Sequence, residues 1–149
     1  MTEQLRPFPQ NEQKHLTSFE FLNRSQPVKF AETEQVTKGV ECDVYSFTGD
    51  QTKDLGIIRI QPGFKTPLQR VLQGEKTIEG HISGKGKFFV RRTSGREEIY
   101  EVNDNTKIKS EITVNIGDIM QWQAAADSYL TAYEICFPPY QEGRYETLK

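Results

Sequence analysis

The stretch PGFKTPLQRVLQGEKTIEGHISGKG, residues 62–86, decides the fold. Short apolar runs alternate in it with turn residues: Pro62-Gly63 ends one strand, and the glycines of SGKG separate two more. The same texture continues on both sides, with turn signals at TGD (48–50) and SGR (94–96). Because strands recur at short spacing without a long helical pattern, the sequence predicts an all-β barrel or sandwich.

The composition is typical of one globular domain. The chain has 149 residues, 35% of them hydrophobic, so a sizeable core can form without disulfides or a structural metal. A formal net charge of −2 attracts neither nucleic acid nor an anionic membrane, so we expect neither as a partner. The apolar runs are too short to span a bilayer, and MTEQLRPFPQ lacks a signal-peptide core. We therefore expect a cytoplasmic location, with Cys42 and Cys136 as buried, reduced thiols.

The chain divides into three segments. Residues 1–35 are predicted to form an extended, polar N-terminal arm, residues 36–140 the barrel, and residues 141–149 a C-terminal tail. Thr17 and Glu20 have the spacing of a helix capping box, which favours one or two helical turns within the arm. At most one or two short helices are expected in the whole chain.

The order of turns and strands over roughly residues 40–140 resembles the cupin superfamily. The resemblance rests on Pro62-Gly63, the SGKG turn, Gly117-Asp118 and the FPPY sequence at 137–140. Cupins are small jelly-roll barrels with two motifs. The first reads Gly, five residues, His-x-His, three or four residues, Glu, six residues, Gly; the second reads Gly, five residues, Pro-x-Gly, two residues, His, three residues, Asn. The resemblance implies a single jelly-roll β-barrel, and a homodimer in which the arm or first strand extends the partner's sheet.

The first motif departs from the family where the metal ligands belong. Counted from Gly63, Gln69 and Val71 stand in the places of the two histidines. The place of the glutamate falls on Glu75 when counted forward from Val71, and on Thr77 when counted back from the closing glycine. In the same way the second motif has lost its histidine.

Ser128 occupies the place of that third histidine. A first-row divalent ion in such a site is held by imidazoles and a carboxylate. An amide is a weak ligand, valine is none, and a neutral hydroxyl binds poorly. We therefore expect no metal and no other cofactor, and this removes most of the dioxygenase chemistry that the resemblance would otherwise imply.

Strand alternation predicts which side chains face the barrel interior. If the histidine places face inward, a period of two brings five polar side chains inside: Gln69, Glu79, His81, Ser128 and Glu134. Buried polar groups must pair, hold water or face a ligand. One interpretation is that His81 and Glu79 or Glu134 form an acid–base couple, which the resemblance to metal-free epimerases and isomerases of the superfamily supports. The other is a satisfied polar cluster without catalytic use.

Three further residues are candidates for ligand contact. Arg59 either enters the cavity as an anion clamp or lies on the outer face of its strand. Tyr45 is either a phenolic group at the barrel mouth or a packed strand tyrosine. Trp122 either stacks on a ring-shaped ligand or packs in the core.

The sequence therefore favours a metal-independent barrel that binds a small polar or partly aromatic molecule. Such a barrel is either a binder or carries proton-transfer chemistry of the isomerase, epimerase, cyclase or lyase type. A non-catalytic structural or assembly protein is the main alternative. A metal-dependent dioxygenase-type cupin with an atypical site is a third.

Overall fold

The structure is a computed structural model that describes residues 15–21, 23–105, 111–141 and 143–148. Residues 1–14 and residue 22 of the predicted arm lie outside these ranges. The described residues form these strands: β1 (Ser18–Phe21), β2 (Arg24–Thr37), β3 (Val40–Phe47), β4 (Asp50–Ile60), β5 (Gln69–Val71), β6 (Lys76–Gly84), β7 (Gly86–Arg91), β8 (Glu97–Val102), β9 (Ile112–Asn115), β10 (Ile119–Ala124), β11 (Leu130–Phe137) and β12 (Tyr145–Thr147). In the same ranges no helix is long and apolar enough to cross a membrane.

The strands form two antiparallel sheets that face each other. The order is β1-β2-β3-β4-β11-β6-β9 in the seven-stranded sheet and β12-β5-β10-β7-β8 in the five-stranded sheet. Neighbours in sheet order are often distant in sequence, as in the β4-β11-β6 pairing, and this is the connectivity of a jelly roll. The prediction of an all-β jelly-roll barrel is confirmed.

The interior between the sheets is apolar along most of its length. Ile58 and Ile60 of β4 meet Phe88 of β7 there, and the Phe88 ring lies 4.5 Å from that of Trp122. Side chains from both sheets complete this core: Val40, Val71, Val90, Val102, Val114, Met120, Leu130 and Ala132. Burial of these side chains is the main favourable term in folding, at roughly 25 cal/mol per Å² of apolar surface.

The glycines of the SGKG turn allow close backbone packing where the chain passes from the seven-stranded sheet to the five-stranded sheet. Gly84 has a φ of 87°, and a Cβ atom there would lie 1.9 Å from the carbonyl oxygen of Tyr129. At Gly86 a Cβ atom would lie 2.2 Å from the carbonyl oxygen of Gln123. Any side chain at either position would therefore push the backbone apart.

The outer face of the seven-stranded sheet has its own apolar cluster. The β1–β2 hairpin covers part of this face, where the ring of Phe19 meets that of Tyr133 edge-on at 5.0 Å. The buried members are Phe21, Val28, Tyr45, Phe47, Leu55, Ile57, Ile78 and Ile135. Both faces of this sheet are therefore buried over part of its area.

The helical turn predicted from Thr17 and Glu20 is wrong. Residues 18–21 form β1, and β2 runs through residues 24–37, across the expected start of the barrel, paired with β3. Asn23 allows the tight reversal between the strands because it adopts a φ of 61°, a value that asparagine tolerates better than most residues. The expected tail contributes β12, which pairs with β5.

Candidate functional site

A cavity of about 260 Å³ lies between the two sheets. Its wall includes the aromatic residues Trp122, Tyr140 and Tyr145 and both cysteines. It also includes five acidic residues: Glu32, Glu34, Asp54, Glu79 and Glu134. No Lys, Arg or His belongs to the described part of the lining. The cavity is therefore acidic and partly aromatic.

Glu79 and Glu134 form the centre of the site. They face each other directly in the register of β6 and β11, and both side chains point to the cavity side of the sheet. Glu79 is fully buried, and its Oε1 accepts a hydrogen bond of 2.9 Å from the indole Nε1 of Trp122. Its Oε2 is buried and accepts no hydrogen bond from any described donor. Two carboxyl groups thus meet where water does not reach one of them.

The pKa of Glu79 is raised well above its usual value. Burial is the largest cause, followed by the negative charge of Glu134, while the hydrogen bond from Trp122 lowers the pKa. Since two carboxylates this close cannot both be charged without repulsion, the pair favours a state in which one proton is shared between them.

Two donors, one from β11 itself and one from β12 of the facing sheet, are directed at Glu134. The hydroxyl of Tyr145 and the thiol of Cys136, at 3.2 Å, both donate to its Oε1. Burial, followed by the charge of Glu134, raises the pKa of the Tyr145 hydroxyl and of the Cys136 thiol. Both groups therefore stay protonated at neutral pH and act as donors.

Asp54 adds a further acidic group to the wall, one strand away from Glu134. Burial is the main cause that raises its pKa, and the charge of Glu134 adds to it. The backbone N–H of Tyr140 donates to Asp54 Oδ2 at 2.9 Å. The carboxyl groups of the cavity are thus electrostatically linked to one another.

Four of the site residues predicted from the sequence meet at this cavity: Gln69, Glu79, Trp122 and Glu134. Alternation along β11 is as predicted, with Ala132 in the inner core, Glu134 and Cys136 on the cavity, and Tyr133 on the outer face.

His81 is not among the cavity residues. It pairs with Ala132 of β11, and its Nε2 lies 2.8 Å from the carbonyl oxygen of Gly84. The register between β6 and β11 shifts just beyond it, between Thr131 and Ala132, so β6 is irregular from this point on. His81 is therefore engaged at the far end of β6, and a catalytic role for it stays a prediction.

Ser128 also lies away from the cavity. It is in the turn before β11, where its hydroxyl donates to the carbonyl oxygen of Tyr129 at 2.8 Å and accepts from the N–H of Lys85 at 3.2 Å. The expectation that it faces inward is wrong, because the strand starts two residues later and the turn uses the hydroxyl.

Arg59 and Tyr45 both lie on the outer face of the seven-stranded sheet. Arg59 is therefore not an anion clamp in the cavity, and Tyr45 is a packed strand tyrosine. Arg59 Nη2 donates to Asp43 at 2.7 Å and to Glu41 at 3.1 Å. Tyr45 is buried in the outer cluster, and its hydroxyl accepts from the N–H of Leu16 at 3.0 Å. Both residues therefore stabilise the fold where the structure places them.

The positions of the cupin metal motifs do not form a metal site. Val71 is fully buried in the apolar core, Ser128 is bound to backbone groups, and Gln69 reaches the cavity as a neutral amide. Of the two candidates for the glutamate place, Thr77 is buried and Glu75 is exposed. Over the ranges the structure describes, no three His, Cys, Asp or Glu side chains are grouped to hold a metal ion. The residues do not fit the metal of the family.

Sequence reasoning missed several residues of the site. Tyr145 comes from the expected tail, and no local pattern indicates that this segment pairs with β5. Asp54 could have been found, since it lies four and six residues before the inward-facing Ile58 and Ile60 on the same strand. Glu32 and Glu34 lie on a strand that had been assigned to the arm.

Comparison with known proteins gives the fold its name. No protein-family model and no curated protein matches the sequence. Solved structures do match, and a cupin-2 domain protein of Rhodospirillum rubrum superposes with a TM-score of 0.59 at 16% identity, over 83% of this chain and 76% of its own. The fold is that of the cupins.

Two further solved cupin structures are much longer than this chain. Oxalate decarboxylase of Bacillus subtilis, studied for its Mn(II) centres, matches with a TM-score of 0.60 at 16% identity over 75% of this chain. CapF, solved with the inhibitor 3-isopropenyl-tropolone, matches with a TM-score of 0.61 at 11% identity over 83%. The chain spans 29% of the first and 34% of the second. At these identities the comparison establishes the cupin fold alone, and the chemistry must be argued from the residues of the site.

Proposed function

We propose that this cupin barrel binds a small polar or partly aromatic molecule in its cavity and moves a proton on it through the Glu79–Glu134 pair. The observation that supports the proposal is the place of the pair, since two carboxyl groups, one fully buried, meet on the wall of a cavity between the two sheets. Like charges in a buried site cost stability. Groups retained at such a cost are commonly used in binding or catalysis.

The surroundings of the two carboxyl groups favour different roles. Glu79 has a raised pKa and favours the protonated form, so it suits a general acid. Glu134 accepts from Tyr145 and Cys136, and donors of this kind stabilise a carboxylate, so it suits a general base. In the proposed step Glu134 takes a proton from the carbon next to a carbonyl group, while Glu79 gives its proton to the carbonyl oxygen. Return of a proton to the other carbon, or to the other face, gives an isomer or an epimer.

The cavity limits the size of this molecule. Its volume of about 260 Å³ is below the range of roughly 300–1,000 Å³ that holds drug-sized ligands. Trp122 and Tyr145 offer aromatic faces, while Gln69 and Gln121 offer amide groups. A small carbonyl compound with few substituents fits this lining.

Hydrogen–deuterium exchange tests the proposal. A panel of small aldehydes, ketones and free sugars would be incubated with the protein in D₂O, and NMR would follow deuterium uptake at carbon. We expect at least one compound to exchange, with a loss of about 100-fold or more in Glu79→Gln and in Glu134→Gln. Glu101→Gln, an exposed change on β8, is the matched control and should keep the rate. The proposal fails if no compound exchanges or if exchange survives in both cavity variants.

The same assay tests the predicted role of His81. If His81 belongs to the couple, His81→Ala abolishes exchange as the two glutamine variants do. If the carboxyl pair acts alone, His81→Ala keeps it. The absence of a metal, the cytoplasmic location and the homodimer remain predictions, the last to be checked by sedimentation at micromolar concentration.

A further inference from the structure

We propose that the molecule held in the cavity is a small organic cation with N–H donors, such as a primary ammonium or an amidinium group, and that its charged end lies between Glu79 and Glu134. This inference rests on the ligand-binding part of the proposed function and narrows the ligand to one chemical class. Because a cation held between the two carboxylates displaces the proton that Glu79 would donate, it is a bound ligand and not the substrate of the proton transfer. Two independent observations carry it: the charge of the lining and an unused acceptor inside it.

The charge of the lining has one sign. Five carboxyl groups line the cavity, from β2, β4, β6 and β11, and the described lining contains no basic side chain. Arg144 lowers the pKa of Asp54 from outside, but its guanidinium is occupied by the carbonyl oxygens of Phe137, at 2.7 Å, and Lys76, at 3.3 Å. These carboxylates would repel an anionic ligand, whereas a cation would relieve the repulsion between them.

The unused acceptor is Oε2 of Glu79. Its carboxyl group is fully buried on the cavity wall, and the Trp122 indole takes only Oε1. The two donors beside Glu134 are directed at Glu134 Oε1. Within the described residues no donor reaches Glu79 Oε2. A buried acceptor without a donor is costly, so Glu79 Oε2 favours a bound proton. An N–H group of a ligand can replace this proton as the hydrogen-bond donor.

Aromatic side chains complete a site for a cation. Trp122, Tyr140 and Tyr145 line the cavity, and the rings of the two tyrosines stack with 5.9 Å between their centroids. The face of an aromatic ring attracts a positive charge. Glu32 and Glu34 are exposed on β2 and extend the negative potential towards solvent, which favours entry of a cation.

Binding of a cation should release a proton. The titratable groups that line the cavity with Glu79 are carboxyls, thiols and two phenols: Glu32 and Glu34 on β2, Cys42 on β3, Asp54 on β4, Glu134 and Cys136 on β11, Tyr140 after β11, and Tyr145 on β12. None of them gains positive charge on titration. A bound cation favours the fully charged form of the Glu79–Glu134 pair, so the shared proton leaves and affinity rises with pH.

Three probes of similar shape separate charge from hydrogen bonding. Benzylamine carries charge and N–H donors, benzyltrimethylammonium carries charge alone, and benzyl alcohol carries neither charge nor N–H. By isothermal titration calorimetry we expect benzylamine to bind at least about tenfold more tightly than benzyl alcohol, with benzyltrimethylammonium between them. Between about pH 5 and about pH 8, where benzylamine stays protonated, its affinity should rise by about tenfold. Its binding heat should vary with the ionisation enthalpy of the buffer, as proton release requires.

Variants show which residues cause the preference for benzylamine over benzyl alcohol. Glu79→Gln and Glu134→Gln should each weaken benzylamine by about tenfold or more and leave benzyl alcohol unchanged. Glu101→Gln should bind all three probes as the wild type does, because Glu101 is exposed on β8 and outside the cavity. Circular dichroism of each variant shows whether it is folded, and if one cavity variant does not fold the other still decides.

The cation inference is overturned if benzyl alcohol binds as tightly as benzylamine, or if the preference for benzylamine persists in both cavity variants. If a neutral or anionic compound binds in a way that needs Glu79, the inference fails and the proposed function stands. If the cation binds but no carbon acid exchanges deuterium, the inference stands and the proposed proton transfer fails. Absence of binding by every compound overturns both.

Discussion

Asp43 and Glu79 are both buried carboxyl groups of the seven-stranded sheet, and their surroundings are opposite. Asp43, 3% exposed, accepts from the Arg59 guanidinium and from the Thr33 hydroxyl, each at 2.7 Å, on the outer face. Glu79, 0% exposed, has an indole on one oxygen and a second carboxyl group beside the other. The first carboxylate has the partners that a folded protein needs for a buried charge. The second lacks them, which is the property expected of a binding site.

The largest effect is expected from Arg59→Met, which removes the partner of Asp43. A buried charge left alone costs about 3–5 kcal/mol, so urea unfolding should show a loss of free energy of unfolding of that size. Arg91→Met is the control, because the Arg91–Glu97 ion pair, at 47% and 49% exposure, contributes below about 1 kcal/mol. Equal losses in the two variants would contradict the structural role of the outer network.

Changing both partners should restore much of this loss. In Arg59→Met with Asp43→Leu no buried charge stays unpaired, and we expect a recovery of about 2 kcal/mol or more over Arg59→Met alone. The double-mutant cycle in urea measures it. If the two single losses merely add, Arg59 and Asp43 are not coupled and the comparison with Glu79 loses its basis.

In contrast to Arg59→Met, the Glu79→Gln substitution should raise the free energy of unfolding near neutral pH. The folded-state pKa of Glu79 is above the usual 4.5, so between the two values the folded state binds the extra proton. Wild-type stability therefore falls as pH rises above about 4.5, and the loss is complete above the raised pKa. Glutamine cannot lose this proton, so we expect a gain of about 1–2 kcal/mol near pH 7 and none below pH 4.

Urea midpoints at a series of pH values give this profile for the wild type, Glu79→Gln and the control Glu101→Gln. The control should keep the slope of the wild type. A Glu79→Gln profile with an unchanged slope would mean that the carboxyl pair does not hold the extra proton.

The smallest effect is expected from Tyr145→Phe. It removes the hydroxyl that donates to Glu134 and should cost about 1 kcal/mol at neutral pH, where Glu134 needs the donor most. In a Glu134→Gln background Tyr145→Phe should cost less stability, because a neutral amide accepts a weaker hydrogen bond from the Tyr145 hydroxyl than a carboxylate does. An equal cost in both backgrounds, measured by thermal unfolding, would show that Tyr145 acts through packing alone.

The fold could be predicted because its signals are local. Gly84 and Gly86 stand where the backbones of paired strands approach closely, and the inward residues of β4 and β11 follow a period of two. The N-terminal hairpin was harder to predict. Thr17 and Glu20 have helical spacing, but the hairpin buries Phe19 and Phe21 against distant strands, and this tertiary packing exceeds the weak capping preference.

The site could be predicted only in part, because the sequence does not show the register between paired strands or which distant strands pair. Alternation places Glu79 and Glu134 inside, but it cannot foresee that their strands bring them directly opposite each other. His81 has the same parity as Glu79, but it lies two residues further along β6, opposite Ala132, where its ring contacts the Gly84 carbonyl oxygen outside the cavity lining. Tyr145 reaches the site through the β5–β12 pairing, a long-range contact that leaves no periodic signal in a three-residue strand.

Trp122 gives the site a built-in optical reporter. It is the one tryptophan of the chain, so nearly all emission excited at the red edge of protein absorption comes from an indole bonded to Glu79. A change in the charge of that carboxyl group, or a molecule seated against the ring, changes the field that the excited indole experiences. Protonation and occupancy can therefore be followed in the unlabelled protein, by the colour of its own fluorescence.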